Sequence, residues 1–82
     1  MEKPTNSLIG KMVLNVKGIL IGVIQESIQN GVSGKIQSVL IKPSKEIDAQ
    51  RYTLTNKGEI IIPYSLLSSV KDVVIIEEPS LY

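Results

Sequence analysis

The feature that most narrows the fold is a set of short aliphatic runs, each cut off by Gly, Pro or a charged residue. Ile19-Leu20-Ile21 stops at Gly22, and Val39-Leu40-Ile41 ends two residues before Pro43. Ile60-Ile61-Ile62 meets Pro63, and Val73-Val74-Ile75-Ile76 runs into Glu77. β-Branched side chains lose χ1 freedom in a helix but pack well on a pleated surface. Ala, the best helix former, occurs only at Ala49, and Phe and Trp are absent. Runs of this length bounded by turn residues read as strands, so the expected class is all-β.

Six strands are expected, over Lys11–Val16, Ile19–Ile28, Lys35–Lys42, Arg51–Thr55, Glu59–Ile62 and Val73–Glu77. Gly18 is suited to the positive φ of the first hairpin turn. Gly22 falls inside the second strand, where a Gly marks a bulge or a barrel corner. Asn30-Gly31 signals the next turn and Gly34 closes it; Gly58 serves the turn at 56–58, and Pro63 ends the fifth strand. Residues 43–50 read as a polar loop in which Ile47 is the only large apolar side chain. Tyr64–Val70 is the one helical candidate, a single short turn. Six short strands at this spacing suggest a small barrel over 8–77, with 1–7 a loose lead-in and 78–82 a mobile tail.

The chain has 82 residues, one domain's worth, and neither Cys nor His. Disulfides, thiolate or imidazole metal sites and every Cys- or His-based catalytic pair are therefore excluded. A carboxylate-only cation site stays formally open, but the acidic residues are scattered and show no ligand spacing. Nine basic against eight acidic residues give a charge of +1, and the basic ones are dispersed. Nucleic-acid binders gather their basic groups on one face, so nucleic acid is not the expected partner. No apolar run is long enough for a signal peptide or a membrane span, and the expected location is cytoplasmic.

The ordered punctuation resembles the PRC-barrel family. Ile9-Gly10-Lys11-Met12-Val13 is similar to its opening "G-K-x-V", and Gly18-Ile19-Leu20-Ile21-Gly22-Val23 to the "G-x-x-I/L-G-x-V" that follows. Gly34–Ile41 resembles the next aliphatic strand. Ile62-Pro63-Tyr64-Ser65 and Val70-Lys71-Asp72-Val73-Val74-Ile75-Ile76 resemble its close, "I-P-F/Y-S … V-x-D-x-V-I-V". One departure is Asn15, near where the family often carries Asp ahead of the turn Gly; Asn tolerates that geometry equally well.

The resemblance implies a six-stranded PRC-like β-barrel and a binding role. The family includes the cytoplasmic domain of the photosynthetic reaction-centre H subunit and half of a ribosome maturation factor. Short stand-alone members are typical of archaea, some of them dimeric partners of the cell-division machinery. The expected function is thus a non-enzymatic protein-binding adaptor, with a ribosome- or RNA-associated factor that binds a ribosomal protein as the alternative.

No catalytic residue, cofactor site or metal site emerges from the residues themselves. The glycine spacing fits no phosphate-binding loop, Ser65, Ser68 and Ser69 have no His to activate them, and Glu77 and Glu78 point to opposite faces of a strand end. Ile60–Ile62 and Val73–Ile76 are apolar on both faces, and a barrel interior uses only one. The other face would form an exposed apolar patch unless covered, which predicts a homodimer. Ile60, Ile62, Tyr64, Val74 and Ile76 are the expected interface residues. The same aliphatic residues suit a core equally well, and the Tyr64 ring could pack rather than anchor a partner.

Overall fold

The computed structural model describes residues 8–70 and 72–77. Among the described residues six strands form one sheet: β1 (Met12–Asn15), β2 (Leu20–Gln29), β3 (Ile36–Pro43), β4 (Ile60–Pro63), β5 (Leu67–Val70) and β6 (Val73–Ile76). Their spatial order is β4-β3-β2-β1-β6-β5. Every pairing is antiparallel except β1 with β6, which brings both ends of the described chain to the middle of the sheet. The two edge strands, β4 and β5, are consecutive in the chain and joined by the 3₁₀ turn Tyr64–Leu66. The sheet therefore curls towards itself as a half-barrel around its core. The expected lead-in 1–7 and tail 78–82 lie outside the described residues.

Bulges supply the curvature, and β2 takes part in all of them. The partners of Val13 and Leu14 jump from Gly22 to Leu20, leaving Ile21 as the extra residue. Against β3 the register slips again at Ile24/Glu26 and at Ile28/Gln29. Each bulge bends its strand and raises the local twist. The first also explains a break in alternation. Residues three apart in a regular strand face opposite ways, yet Ile21 and Ile24 are 0% and 1% exposed and share one core. That core adds Leu8, Val13, Val39, Ile41, Ile60, Ile62, Val74 and Ile76.

One turn device recurs. Asn15 Oδ1 accepts the N–H groups of Lys17 (2.9 Å) and Ile19 (3.0 Å), while Gly18 N–H donates to the Asn15 carbonyl (2.9 Å). Asn30 Oδ1 accepts from Val32 and Ser33, and Gly34 N–H donates back to Asn30 O. Thr55 Oγ1 accepts from Lys57 and Glu59, and Gly58 N–H donates to Thr55 O. In each turn a short polar side chain holds the exposed amides, and the closing glycine takes the left-handed backbone that these loops need.

Two segments differ from expectation. The strand expected over Arg51–Thr55 is reduced to one bridge, Leu54 with Ile60, flanked by Ile61 N–H to Thr53 O (2.9 Å) and Thr55 N–H to Glu59 O (2.8 Å). Asp48 is the cause. Its Oδ1 accepts from Gln50 N–H and caps a 3₁₀ turn over Ala49–Arg51. That turn lets both Ile47 and Tyr52 pack on the core, and it takes Arg51 out of extended backbone. The second difference lies in Tyr64–Val70, where the helical turn covers only Tyr64–Leu66. Leu67 leaves it with extended backbone (φ −92°, ψ 139°), and β5 follows. Without β5, apolar β6 would be a bare edge; pairing with it outweighs the helix propensity of Leu66-Leu67. Among the described residues no helix is long and apolar enough to cross a membrane.

Candidate protein-docking surface

The pairing registers assign each side chain to a face. Val13, Val74, Ile24 and Ile41 point inwards, so their strand neighbours point out. On the outer side, Val23 of β2, Met12 of β1 and Val73 of β6 lie side by side in one row. Leu20, Leu14 and Ile75 form the next. The bulge at Ile21 places Leu20 in that row, opposite Leu14. Six apolar side chains thus form two unbroken rows across three strands. Met12 is 47% and Val23 37% exposed, and the other four are half-buried. Lys42 stands beside Val23 and Ser68 beside Ile75, giving the rows polar ends.

The outer face of β3 and β4 is different. There Glu26, exposed, lies beside Leu40 and Ile61, so a charge interrupts the apolar row. Interfaces that bind protein have an apolar centre and a polar rim, and of the two faces the β2–β1–β6 side fits that description.

The expected interface residues divide on this map. Ile60, Ile62, Val74 and Ile76 face the barrel interior, and this corrects their reading as surface positions: they are core. The reason is register. Val74 stands beside inward Val13 and Ile60 beside inward Ile41, so the alternate residues Ile61, Val73 and Ile75 are the ones that look out. Tyr64 is 43% exposed at the start of the 3₁₀ turn and lies on none of the strands that carry the two apolar rows. Met12, Leu14, Leu20 and Val23 were not singled out in the sequence. Their sequence signal is the same as in β4 and β6, an apolar run with no alternation, as in Met12-Val13-Leu14.

The remaining expected positions are structural. Gly18, Gly34 and Gly58 close turns with φ of 84°, 74° and 82°. Gly22 has another reason to be glycine: a Cβ built there would run into the Lys42 carbonyl oxygen and lie 2.7 Å from Ile41 Cγ2. Its missing side chain lets β3 pass close by at the bulge. Pro63 is the exposed last residue of β4 and leads into the 3₁₀ turn.

Comparison with known proteins agrees with this architecture. A protein of Methanocaldococcus jannaschii, known as uncharacterized protein MJ1118, is 30% identical over 82 residues, covering 99% of this chain and 89% of that one. The crystal structure of a Pseudomonas aeruginosa protein, RimM, named for 16S ribosomal RNA processing, superposes with a TM-score of 0.62 over 99% of this chain at 19% identity. This chain spans 48%, about half, of the RimM chain, and at that identity the likeness is one of fold. The model of the PRC-barrel domain matches residues 2–81, nearly the whole length, and the chain belongs to the PRC-barrel family.

Proposed function

We propose that this chain is a cytoplasmic, non-enzymatic protein-interaction module that works as a homodimer and docks a protein partner on the outer face of β2, β1 and β6. The observation that carries this reading is the pair of apolar rows, Val23–Met12–Val73 and Leu20–Leu14–Ile75. A continuous apolar patch with a polar rim marks an interaction surface.

A second reading keeps the surface and changes the partner. RimM carries the same fold and is named for ribosomal RNA processing, so a ribosomal protein is the alternative occupant. A partner in the archaeal division machinery rests on the family resemblance alone.

The test is affinity capture from native cells, with and without nuclease, of the natural protein and of Met12→Glu and Val23→Glu. Both positions are exposed, so the fold should lose less than about 1 kcal/mol, while a buried unpaired charge would break the docked complex. One defined protein, lost from both variants and retained through nuclease, is the expected result. Its identity as a ribosomal or a division component decides between the partners. Capture that both variants leave unchanged, or that nuclease abolishes, overturns the reading.

A further inference from the structure

We propose that the outer edge of β5 pairs with β5 of a second copy, antiparallel, about a two-fold axis through Ser69. This deepens the homodimer of the proposed function and rests on it, adding which strand joins the copies and by which atoms.

The two edges of the sheet are not alike. The outer side of β4 is covered at Ile60 by the Leu54 bridge and its two flanking hydrogen bonds, and β4 ends in Pro63, which has no N–H to offer. Those are common ways of blocking an edge. β5 has neither. It reads Leu67-Ser68-Ser69-Val70, with no Pro, no Gly, no charge and no bulge in its pairing, and among the described residues its strand partner is β6 alone.

Hydrogen-bond parity shows what that edge presents. Glu77 N–H donates to Leu66 O (3.4 Å), which makes Leu66 and Glu77 a hydrogen-bonded pair. In an antiparallel ladder such pairs alternate with non-bonded ones. Ser68 with Ile75 and Val70 with Val73 are therefore bonded pairs, and the backbone groups of Leu67 and Ser69 point away from β6. The Leu67 N–H is taken by Tyr64 O at the end of the 3₁₀ turn. Within the strand, Ser69 alone offers both an N–H and a C=O to an incoming chain.

A second copy fits this edge. Two Ser69 residues across a two-fold exchange reciprocal N–H···O=C bonds and set Ser68 of each copy opposite Val70 of the other. The neutral strand carries no like charges to oppose its own image, and the whole chain is only +1. The seam also carries the outer face of β6 and β5 on into that of the second copy, so the two docking faces lie on one extended sheet. Four-residue strands bury less than the roughly 1,200 Å² at which standard interfaces begin, so this association depends on concentration.

Sedimentation equilibrium from micromolar to millimolar protein, on the natural chain, Ser69→Ala and Ser69→Pro, tests it. Proline removes the outward N–H in both copies and leaves the inward ladder to β6 intact. Alanine removes only the side chain, whose Oγ accepts from Lys11 Nζ at 3.3 Å. We expect the natural protein and Ser69→Ala to dimerise alike, and Ser69→Pro to do so about tenfold more weakly or worse, two backbone hydrogen bonds being lost at once. Amide exchange on the natural protein removes any dependence on how the variants fold: the Ser69 N–H should exchange freely when dilute and become protected as the dimer forms. A dimer in which Ser69 stays unprotected places the contact elsewhere and overturns the edge assignment. A chain that stays monomeric overturns it too. In either case the docking face stands or falls separately, on whether Met12→Glu loses the partner.

Discussion

Gly22→Ala is expected to destabilise the fold strongly although it adds a single methyl group. Gly22 is buried on β2, between Val13 of β1 and Pro43 of β3. Its φ is not in the left-handed region, unlike those of Gly10, Gly18, Gly34 and Gly58. What it supplies is space. The added Cβ would meet the Lys42 carbonyl oxygen and stand 2.7 Å from Ile41 Cγ2, and Ile41 is itself fully buried. Neither neighbour is the loose end of a flexible side chain, so β2 and β3 have to move apart. Overpacking of this kind costs about 1–3 kcal/mol, and each ladder hydrogen bond stretched by the movement adds about 1 kcal/mol. The expected loss is about 2–4 kcal/mol, a large share of the roughly 4–12 kcal/mol available to a domain of this length.

Equilibrium urea unfolding followed by circular dichroism measures this directly. At a slope of about 1 kcal/mol per molar the midpoint should fall by roughly 2 M or more. Two controls separate space from backbone conformation. Gly18→Asn should be nearly neutral, because Asn enters left-handed backbone readily and nothing lies within 4 Å of a Cβ at Gly18. Gly22→Asn should be at least as damaging as Gly22→Ala. Gly31→Ala, in open space and without a positive φ, should stay within a few tenths of a kcal/mol of the natural protein or gain slightly. A Gly22→Ala protein within about 0.5 kcal/mol of the natural one would refute the close-approach argument and with it the packing at this bulge.

Asn15→Ala should lose about 1 kcal/mol, because Lys17 and Ile19 N–H groups lose their acceptor, whereas Asn15→Asp keeps one and should unfold close to the natural midpoint. Ile41→Ala should cost about 2–5 kcal/mol and Met12→Ala under about 1 kcal/mol, a contrast that thermal unfolding resolves and that equal losses would contradict. Ile47→Ala should destabilise by about 1–2 kcal/mol, although the residue lies in a polar loop, because its side chain packs on the core.

Strand-forming residues and turn punctuation were legible because each is a local property. Aliphatic runs, Asn and Thr ahead of closing glycines, and the proline after Ile60–Ile62 mark β1, β2, β3, β4 and β6 directly. The exchange of Arg51–Thr55 for Leu67–Val70 was not legible, because it is decided at a distance. Asp48 starts a turn only worth making if Ile47 and Tyr52 find the core, and Leu67–Val70 extends only because β6 is there to receive it. Facing was harder still. In Ile60-Ile61-Ile62 composition distinguishes no face, and in β2 the bulge at Ile21 breaks the alternation from which a face would be read. The surface residues expected from the sequence therefore lie one position out of phase on β4 and β6.

The phase matters because it separates what the fold requires from what it merely tolerates. Inside, Val13 and Val74 are fully buried and share the core with Ile21, Ile24, Ile41 and Ile60. Outside, a strand needs β-branched or otherwise extended side chains, but it has no need for them to be apolar. Threonine tests that difference, since it is branched at Cβ, as valine is, but carries a hydroxyl in place of a methyl. At Val74 the hydroxyl would enter an apolar core, at a cost of about 1–3 kcal/mol. At Val23, 37% exposed, it can reach water, and stability should change by less than about 1 kcal/mol. Docking should respond the other way round, with Met12→Thr and Val23→Thr together weakening capture of the partner while the unfolding midpoint holds. If the double variant instead unfolds as readily as Val74→Thr, the outer rows are a second layer of the fold and the docking surface lies elsewhere. If it stays folded and loses the partner, the apolar rows on β2, β1 and β6 serve recognition, because the barrel stands without them.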